Sequence, residues 1–177
     1  MNLEPARDRD VAAGLLEVLA ARGETLGCAE SLTGGLLTAR LVDVPGASRV
    51  LRGGIVCYAT DLKASVLGVP ADLLAERGAV DPDVAAAMAQ GVCRVLAVDW
   101  GLATTGVAGP DPADGKPVGL AYVAVMARAG APVVRELALD GDRTAIRAGV
   151  VAACLDLAAD ALARHTRVVG GPVAYRG

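Results

Sequence analysis

Apolar residues recur every three to four positions over residues 8–22. Further along the chain, short continuous apolar runs alternate with segments that have this same helical spacing. The first pattern predicts an amphipathic helix that Gly23 ends, and the short runs predict buried strands. We therefore expect strands over residues 25–30 and 54–58, and a third that begins near Val98 and covers residues 101–105. Further helices are expected over residues 33–42, 60–67, 70–77 and 81–96.

The last third of the chain follows a different order. A loop rich in glycine and proline covers residues 106–117, and two strands are predicted over residues 120–126 and 133–139. Their short connection requires an antiparallel pair, whereas the earlier alternation of strands and helices favours parallel pairing. A final helix is predicted over residues 141–164. The expected fold is α/β, a three-layer α/β/α sandwich with a mixed, mainly parallel sheet of about five strands. Residues 1–167 are expected to form one domain and residues 168–177 a flexible tail.

Charge and hydropathy exclude several classes of protein. The net charge is −3 and the basic residues are scattered, which is unlike a nucleic-acid-binding protein. No apolar run approaches the ~20 residues of a membrane helix. The first ten residues show no signal-peptide pattern. We therefore expect a cytoplasmic protein that binds neither nucleic acid nor membrane.

The residues available for catalysis are few. His165 is the only histidine and lies at the end of the last predicted helix, so a histidine-based triad is not expected. Only two of the 17 basic residues are lysines, Lys63 and Lys116. The four cysteines are widely spaced in apolar surroundings, which favours small buried residues over disulfides or a zinc site.

Polar residues follow the predicted parallel strands where each one ends. Ser31 follows the first strand, Tyr58 ends the second with Lys63 one helical turn later, and Thr105 and Gly106 end the third. In open α/β sheets, ligands bind in the crevice at the carboxyl ends of the strands. These residues are therefore expected to share one crevice.

Ser31 needs a base to become a useful nucleophile, and Lys63 is the only nearby candidate. Burial in apolar surroundings would lower the pKa of the lysine enough for it to accept a proton. The same spacing also fits an ordinary turn serine and a solvated lysine, and the residues alone leave both interpretations open.

Two groups are candidates for binding an anion. Thr33, Gly34 and Gly35 open a predicted helix, where backbone amides and glycine would allow a phosphate to approach. Close packing of the helix on the sheet also explains these glycines. Arg143 begins the last helix and is either a phosphate clamp or a solvated surface residue. Glu30 is expected on the opposite face of its strand, in a structural role.

Several motifs in order give the chain a specific resemblance over residues 10–165. The run Ala29-Glu30-Ser31-Leu32-Thr33-Gly34-Gly35 is similar to the signature of the CinA C-terminal domain family. The later matches are Gly53 to Tyr58, Lys63, Leu67 to Val69, Gly78 to Asp81, Thr105 to Asp111, Lys116 to Gly119 and Gly141 to Arg143.

The resemblance implies a nicotinamide-nucleotide amidohydrolase, which converts nicotinamide mononucleotide to nicotinic acid mononucleotide and ammonia. It places the serine nucleophile on Ser31, the lysine base on Lys63, and further catalytic groups on Tyr58 and Thr105. It also implies a homodimer or higher homo-oligomer in a stand-alone form, with neither a metal nor an organic cofactor. Two alternatives stay open: a non-catalytic module that senses a nucleotide or binds a partner, and an amidohydrolase of another small amide.

Overall fold

The computed structural model describes residues 4–169 of the chain, with side chains for residues 7–165. The helices are α1 (Glu4–Arg22), α2 (Leu36–Val42), α3 (Thr60–Ser65), α4 (Ala71–Arg77), α5 (Pro82–Val95) and α6 (Arg143–Val169). The strands are β1 (Leu26–Glu30), β2 (Leu51–Val56), β3 (Trp100–Gly106), β4 (Leu120–Ala127) and β5 (Val133–Ala138). A single 3-10 turn (Ala47–Arg49) precedes β2.

The five strands form one mixed sheet in the order β2-β1-β3-β4-β5. Strand β1 pairs in parallel with both β2 and β3, and β3-β4-β5 is antiparallel. The parallel strands are therefore neighbours, and their carboxyl ends meet at one edge of the sheet. This confirms the predicted α/β class and the hairpin at its end.

Two apolar clusters cover the two faces of the sheet. One joins α1, α2 and α6 through residues such as Leu19, Leu41 and Leu155. The other joins α5 to the sheet through residues such as Met88 and Val92. Burial of these aliphatic side chains on both faces produces the three layers. All four cysteines are buried and unpaired, and no described helix has the length and apolar character of a membrane span.

Element boundaries differ from the predicted ones where polar residues or glycine interrupt a pattern. Strand β2 covers Leu51–Val56 instead of residues 54–58. It is an edge strand whose alternate residues face outward, so it lacks the continuous apolar run of a buried strand. Helix α2 begins at Leu36, three residues later than expected. Helix α6 continues to Val169, so residues 168 and 169 are helical rather than part of the predicted tail. The rest of that tail, residues 170–177, lies outside the described residues.

Candidate active site

A cavity of about 330 Å³ opens where the parallel strands end. Among its lining residues are Ser31 after β1, Tyr58 after β2, Lys63 on α3, and Thr105 with Gly106 at the end of β3. Arg143 reaches it from the start of α6. The convergence expected from the strand ends is therefore present.

Ser31 is held by its backbone and leaves its hydroxyl free. Its amide donates to the Thr104 carbonyl at 3.0 Å, which extends the β1–β3 pairing by one residue. The side chain is 8% exposed. Its hydroxyl makes no hydrogen bond to any residue that the structure describes, and neither does the amide of Leu32. A nucleophile requires a hydroxyl without a competing partner, as Ser31 has. An oxyanion site requires an N–H that is not already used, such as the amide of Leu32.

Lys63 is a lysine buried at the floor of the cavity, with 1% of its surface exposed. Its Nζ donates to the Cys57 carbonyl at 2.8 Å and lies 3.4 Å from the Tyr58 carbonyl. A neutral amine has two hydrogens and one lone pair. Donation of both hydrogens to these carbonyls leaves the lone pair as the remaining position, available to accept a proton.

The surroundings of Lys63 favour its neutral form. Desolvation lowers the pKa of Lys63 below its usual value, whereas Coulombic interactions with Cys57, Asp114 and Asp61 act in the opposite direction. The carbonyl acceptors can be satisfied by the neutral amine as well as by the ammonium ion. The lowered pKa increases the neutral fraction near neutral pH, which a general base needs.

A pH profile of turnover tests Lys63 as a general base. Because the base must be deprotonated, we expect kcat/KM to rise with pH through the pKa of Lys63, with a midpoint below 10.5. Lys63→Met keeps the buried stem without the amine and should lower kcat by roughly 10²–10⁴-fold. The measurement is kcat and kcat/KM of both proteins over a pH series. A Lys63→Met variant as active as the wild type would contradict the role of the lysine.

Glu30 occupies the helix start that the sequence suggested for a phosphate. The side chain is completely buried. Its Oε2 accepts from the amides of Gly35 at 2.9 Å and Leu37 at 3.0 Å. Its Oε1 accepts from the amide and hydroxyl of Thr38 at 2.8 and 2.6 Å. The carboxylate therefore neutralises the amino end of α2 from within the protein.

Several donors of the predicted anion site at Thr33, Gly34 and Gly35 are already used inside the protein. Gly34 donates its amide to the Ser31 carbonyl at 3.1 Å, and Gly35 donates to Glu30. The Thr33 hydroxyl is buried against the Thr104 hydroxyl at 2.7 Å. The two glycines have φ values of +58° and +96°, so they are required for the backbone to turn between Ser31 and α2.

Arg147 holds the same turn from the other side. Its Nε donates to the Leu32 carbonyl at 3.0 Å and its Nη2 to the Thr33 carbonyl at 2.7 Å. The Ser31 turn is thus fixed by a carboxylate that binds its amides and a guanidinium that binds its carbonyls. This support keeps the hydroxyl and the Leu32 amide in place without a contribution from the substrate.

Arg143 and Tyr58 form one polar group at the cavity mouth. Arg143 donates to the Tyr58 phenol oxygen at 3.0 Å and to the Gly109 carbonyl at 2.7 Å. The phenol is therefore next to the guanidinium, whereas Lys63 contacts only the backbone carbonyl of Tyr58. Thr105 donates its hydroxyl to the Ala79 carbonyl at 2.6 Å, which commits the proton that an oxyanion would need.

Residues 8–162 match the sequence model of the CinA C-terminal domain. The chain belongs to the CinA C-terminal domain family. A CinA-like protein of Frankia casuarinae is 54% identical over 143 residues, which are 81% of this chain and 33% of that protein. A CinA-like protein of Geobacter sulfurreducens is 45% identical over 150 residues, 84% of this chain and 36% of that protein. The chain thus spans about a third of the length of these relatives.

Solved structures of the CinA superfamily have the same fold. The competence/damage inducible protein CihA from Agrobacterium tumefaciens superposes with a TM-score of 0.85 at 34% identity, covering 92% of this chain and 99% of that chain. A CinA superfamily protein from Klebsiella pneumoniae also gives 0.85, at 29% identity over 89% and 98% of the two chains. The family and the fold predicted from the sequence are confirmed.

Three groups in the site of this CinA domain were missed from the sequence. The Leu32 amide leaves no signature in residue type, and Arg147 acts over a separation of 115 residues. Asp114 lies in a loop to which the motifs gave no role. Among the described residues, no three His, Cys, Asp or Glu side chains come together as metal ligands would.

Proposed function

We propose that this CinA domain is a serine amidohydrolase that releases ammonia from nicotinamide mononucleotide. The observation that carries the proposal is the shared cavity of Ser31 and Lys63. The Ser31 hydroxyl has no hydrogen-bond partner among the described residues, and the buried Lys63 amine has a lowered pKa. A nucleophile and a base in one cavity are the minimum that cleavage of an amide through an ester requires. The reaction itself is the one implied by the family resemblance.

Ser31 attacks the carboxamide carbon while neutral Lys63 takes the hydroxyl proton. A bond forms between Ser31 Oγ and carbon, and the carbonyl electron pair moves onto oxygen. The Leu32 amide donates to that oxyanion, as the residue after the nucleophile does in enzymes with a strand–turn–helix nucleophile. The protonated Lys63 then gives its proton to the leaving nitrogen, and ammonia departs with the electrons of the C–N bond.

Water completes the reaction through the same groups in reverse. Lys63 is neutral again after ammonia leaves, so it takes a proton from the attacking water. The second tetrahedral intermediate uses the Leu32 amide in the same way. Its collapse breaks the ester bond, and Lys63 returns the proton to Ser31 Oγ. The products are nicotinic acid mononucleotide and the free enzyme.

The phosphate is assigned to Arg143 and Tyr58 instead of the start of α2. Arg143 is exposed at the cavity mouth, and its contacts are one carbonyl and one phenol, both uncharged. The Tyr58 oxygen accepts from Arg143, which leaves the phenol proton to donate. A guanidinium with an adjacent hydroxyl donor suits the oxygens of a phosphate group.

A comparison of substrates with and without the phosphate tests this assignment. Arg143→Gln should raise KM for nicotinamide mononucleotide by roughly tenfold to a hundredfold, the value of a charge-assisted hydrogen bond. The variant should turn over nicotinamide riboside, which lacks the phosphate, as the wild type does. Ammonia release measures both, and Arg9→Gln on α1 is a matched control. Equal losses for both substrates would contradict the role, and no ammonia from the wild type would contradict the proposed function.

A further inference from the structure

The loop between β3 and β4 carries a tight hairpin against the cavity wall. Ala113 and Lys116 form an antiparallel bridge, and the two turn residues are Asp114 and Gly115 with φ values of +51° and +69°. Asp-Gly is a preferred pair for this two-residue turn because both positions need positive φ. The hairpin tip lies next to Gly78, which follows α4. If Gly78 carried a Cβ atom, that atom would be 3.6 Å from the Asp114 carboxylate.

The hairpin places negative charge in the cavity with the proposed catalytic groups. Asp111 and Asp114 both line it, as do Lys63 and Arg143. The carboxylate of Asp114 lines the same cavity as the Lys63 amine, and its charge raises the pKa of Lys63. Neither aspartate forms an ion pair with any basic side chain described in the structure. The cavity therefore holds two carboxylates without an ion pair to a described residue, and a positive group at Arg143.

We propose that Asp114, together with Asp111, is a specificity-determining residue that favours a substrate with a positive charge beside the amide that is cleaved. Such a substrate would place its cationic part near Asp114 when its carbonyl carbon reaches Ser31, and its anionic part near Arg143. This inference rests on the proposed function and assigns the preference for a cationic ring to these two carboxylates. A pyridinium ring with a phosphate on its ribose has that pattern, whereas a neutral amide does not.

The effect should be moderate because Asp114 is exposed at the rim, where solvent screens the charge. Asp114→Asn removes the charge, keeps the shape, and retains a residue that tolerates positive φ in this turn. We expect the preference for nicotinamide mononucleotide over its uncharged dihydropyridine form to fall by about fivefold in this variant, and further in the double variant with Asp111→Asn. Asp43→Asn, on the surface at the end of α2, should leave the preference unchanged.

Binding and turnover are measured separately, so that the role of Asp114 and the proposed amidohydrolase function are tested independently. Titration calorimetry of both ring forms with Ser31→Ala, alone and combined with Asp114→Asn, gives the preference without chemistry. Loss of the preference in the combined variant supports the inference, even where the wild type releases no ammonia and the proposed function fails. An unchanged ratio of dissociation constants, or equal weakening for both ring forms, would overturn it, as would failure of both forms to bind. Ammonia release by the wild type, assayed alongside, tests the proposed function alone.

Discussion

Ser31→Ala is expected to lower the rate of ammonia release from nicotinamide mononucleotide by at least about 10³-fold, because the proposed covalent route requires the hydroxyl that this variant lacks. The hydroxyl has no hydrogen bond to a described residue, and the backbone of Ser31 is held by the Thr104 carbonyl. Alanine keeps that backbone bond, so the fold and the cavity should persist. The free energy of unfolding should change by less than about 1 kcal/mol, as expected for a small change without a buried partner.

Two further measurements separate loss of the nucleophile from damage to the site. Calorimetry should show that Ser31→Ala still binds nicotinamide mononucleotide. Ser48→Ala, an exposed serine in the 3-10 turn before β2, should be fully active. Ammonia release by Ser31→Ala at the wild-type rate would contradict the covalent mechanism.

Glu30→Gln is expected to destabilise the protein by about 3–5 kcal/mol, as loss of one partner in a buried charged network does. The buried carboxylate accepts four hydrogen bonds, three from the backbone amides of Gly35, Leu37 and Thr38 and one from the Thr38 hydroxyl. An amide group replaces one acceptor oxygen with an NH₂ that faces these donors. Two buried donors then lose their acceptor, and the amino end of α2 loses its compensating charge. Thermal unfolding should show a Tm roughly 6–20 °C lower for a chain of this size.

A milder variant covers the case in which Glu30→Gln does not fold. Thr38→Val removes only the hydroxyl that donates to Oε1 and should cost about 1 kcal/mol. Glu136→Gln is the matched control, because that carboxylate is exposed on β5 and accepts one bond from Tyr122. It should change stability by less than about 0.5 kcal/mol. A Glu30→Gln variant as stable as this control would show that the carboxylate does not hold the turn.

The order and type of the elements followed from the sequence because burial on both faces of a sheet imposes regular patterns. The alternation of apolar runs and helical spacing gave the parallel strands, and a short connection gave the antiparallel pair β4 and β5. The start of α2 was wrong by three residues. Polar contacts decide that boundary, since Glu30 and two glycines in the left-handed region hold a turn that periodicity does not encode.

The position of the site could be predicted from the sequence because ligands bind at the carboxyl ends of parallel strands, but its hydrogen bonds could not. That rule brought Ser31, Tyr58, Lys63 and Thr105 into one crevice, as the structure has them. It did not indicate which donors are already used inside the protein. Gly35 donates to Glu30 and Thr105 to the Ala79 carbonyl, and both facts depend on side-chain positions that spacing does not give.

Hydroxylamine trapping of the ester provides the most direct test of the central claim that Ser31 forms a covalent intermediate. Hydroxylamine competes with water for an acyl-enzyme whether or not that species accumulates. Wild-type protein incubated with nicotinamide mononucleotide and hydroxylamine should release ammonia and form the hydroxamate of nicotinic acid mononucleotide, in a ratio to the acid that rises with hydroxylamine concentration. Ammonia with acid as the sole product at every concentration, or no ammonia at all, would contradict the account.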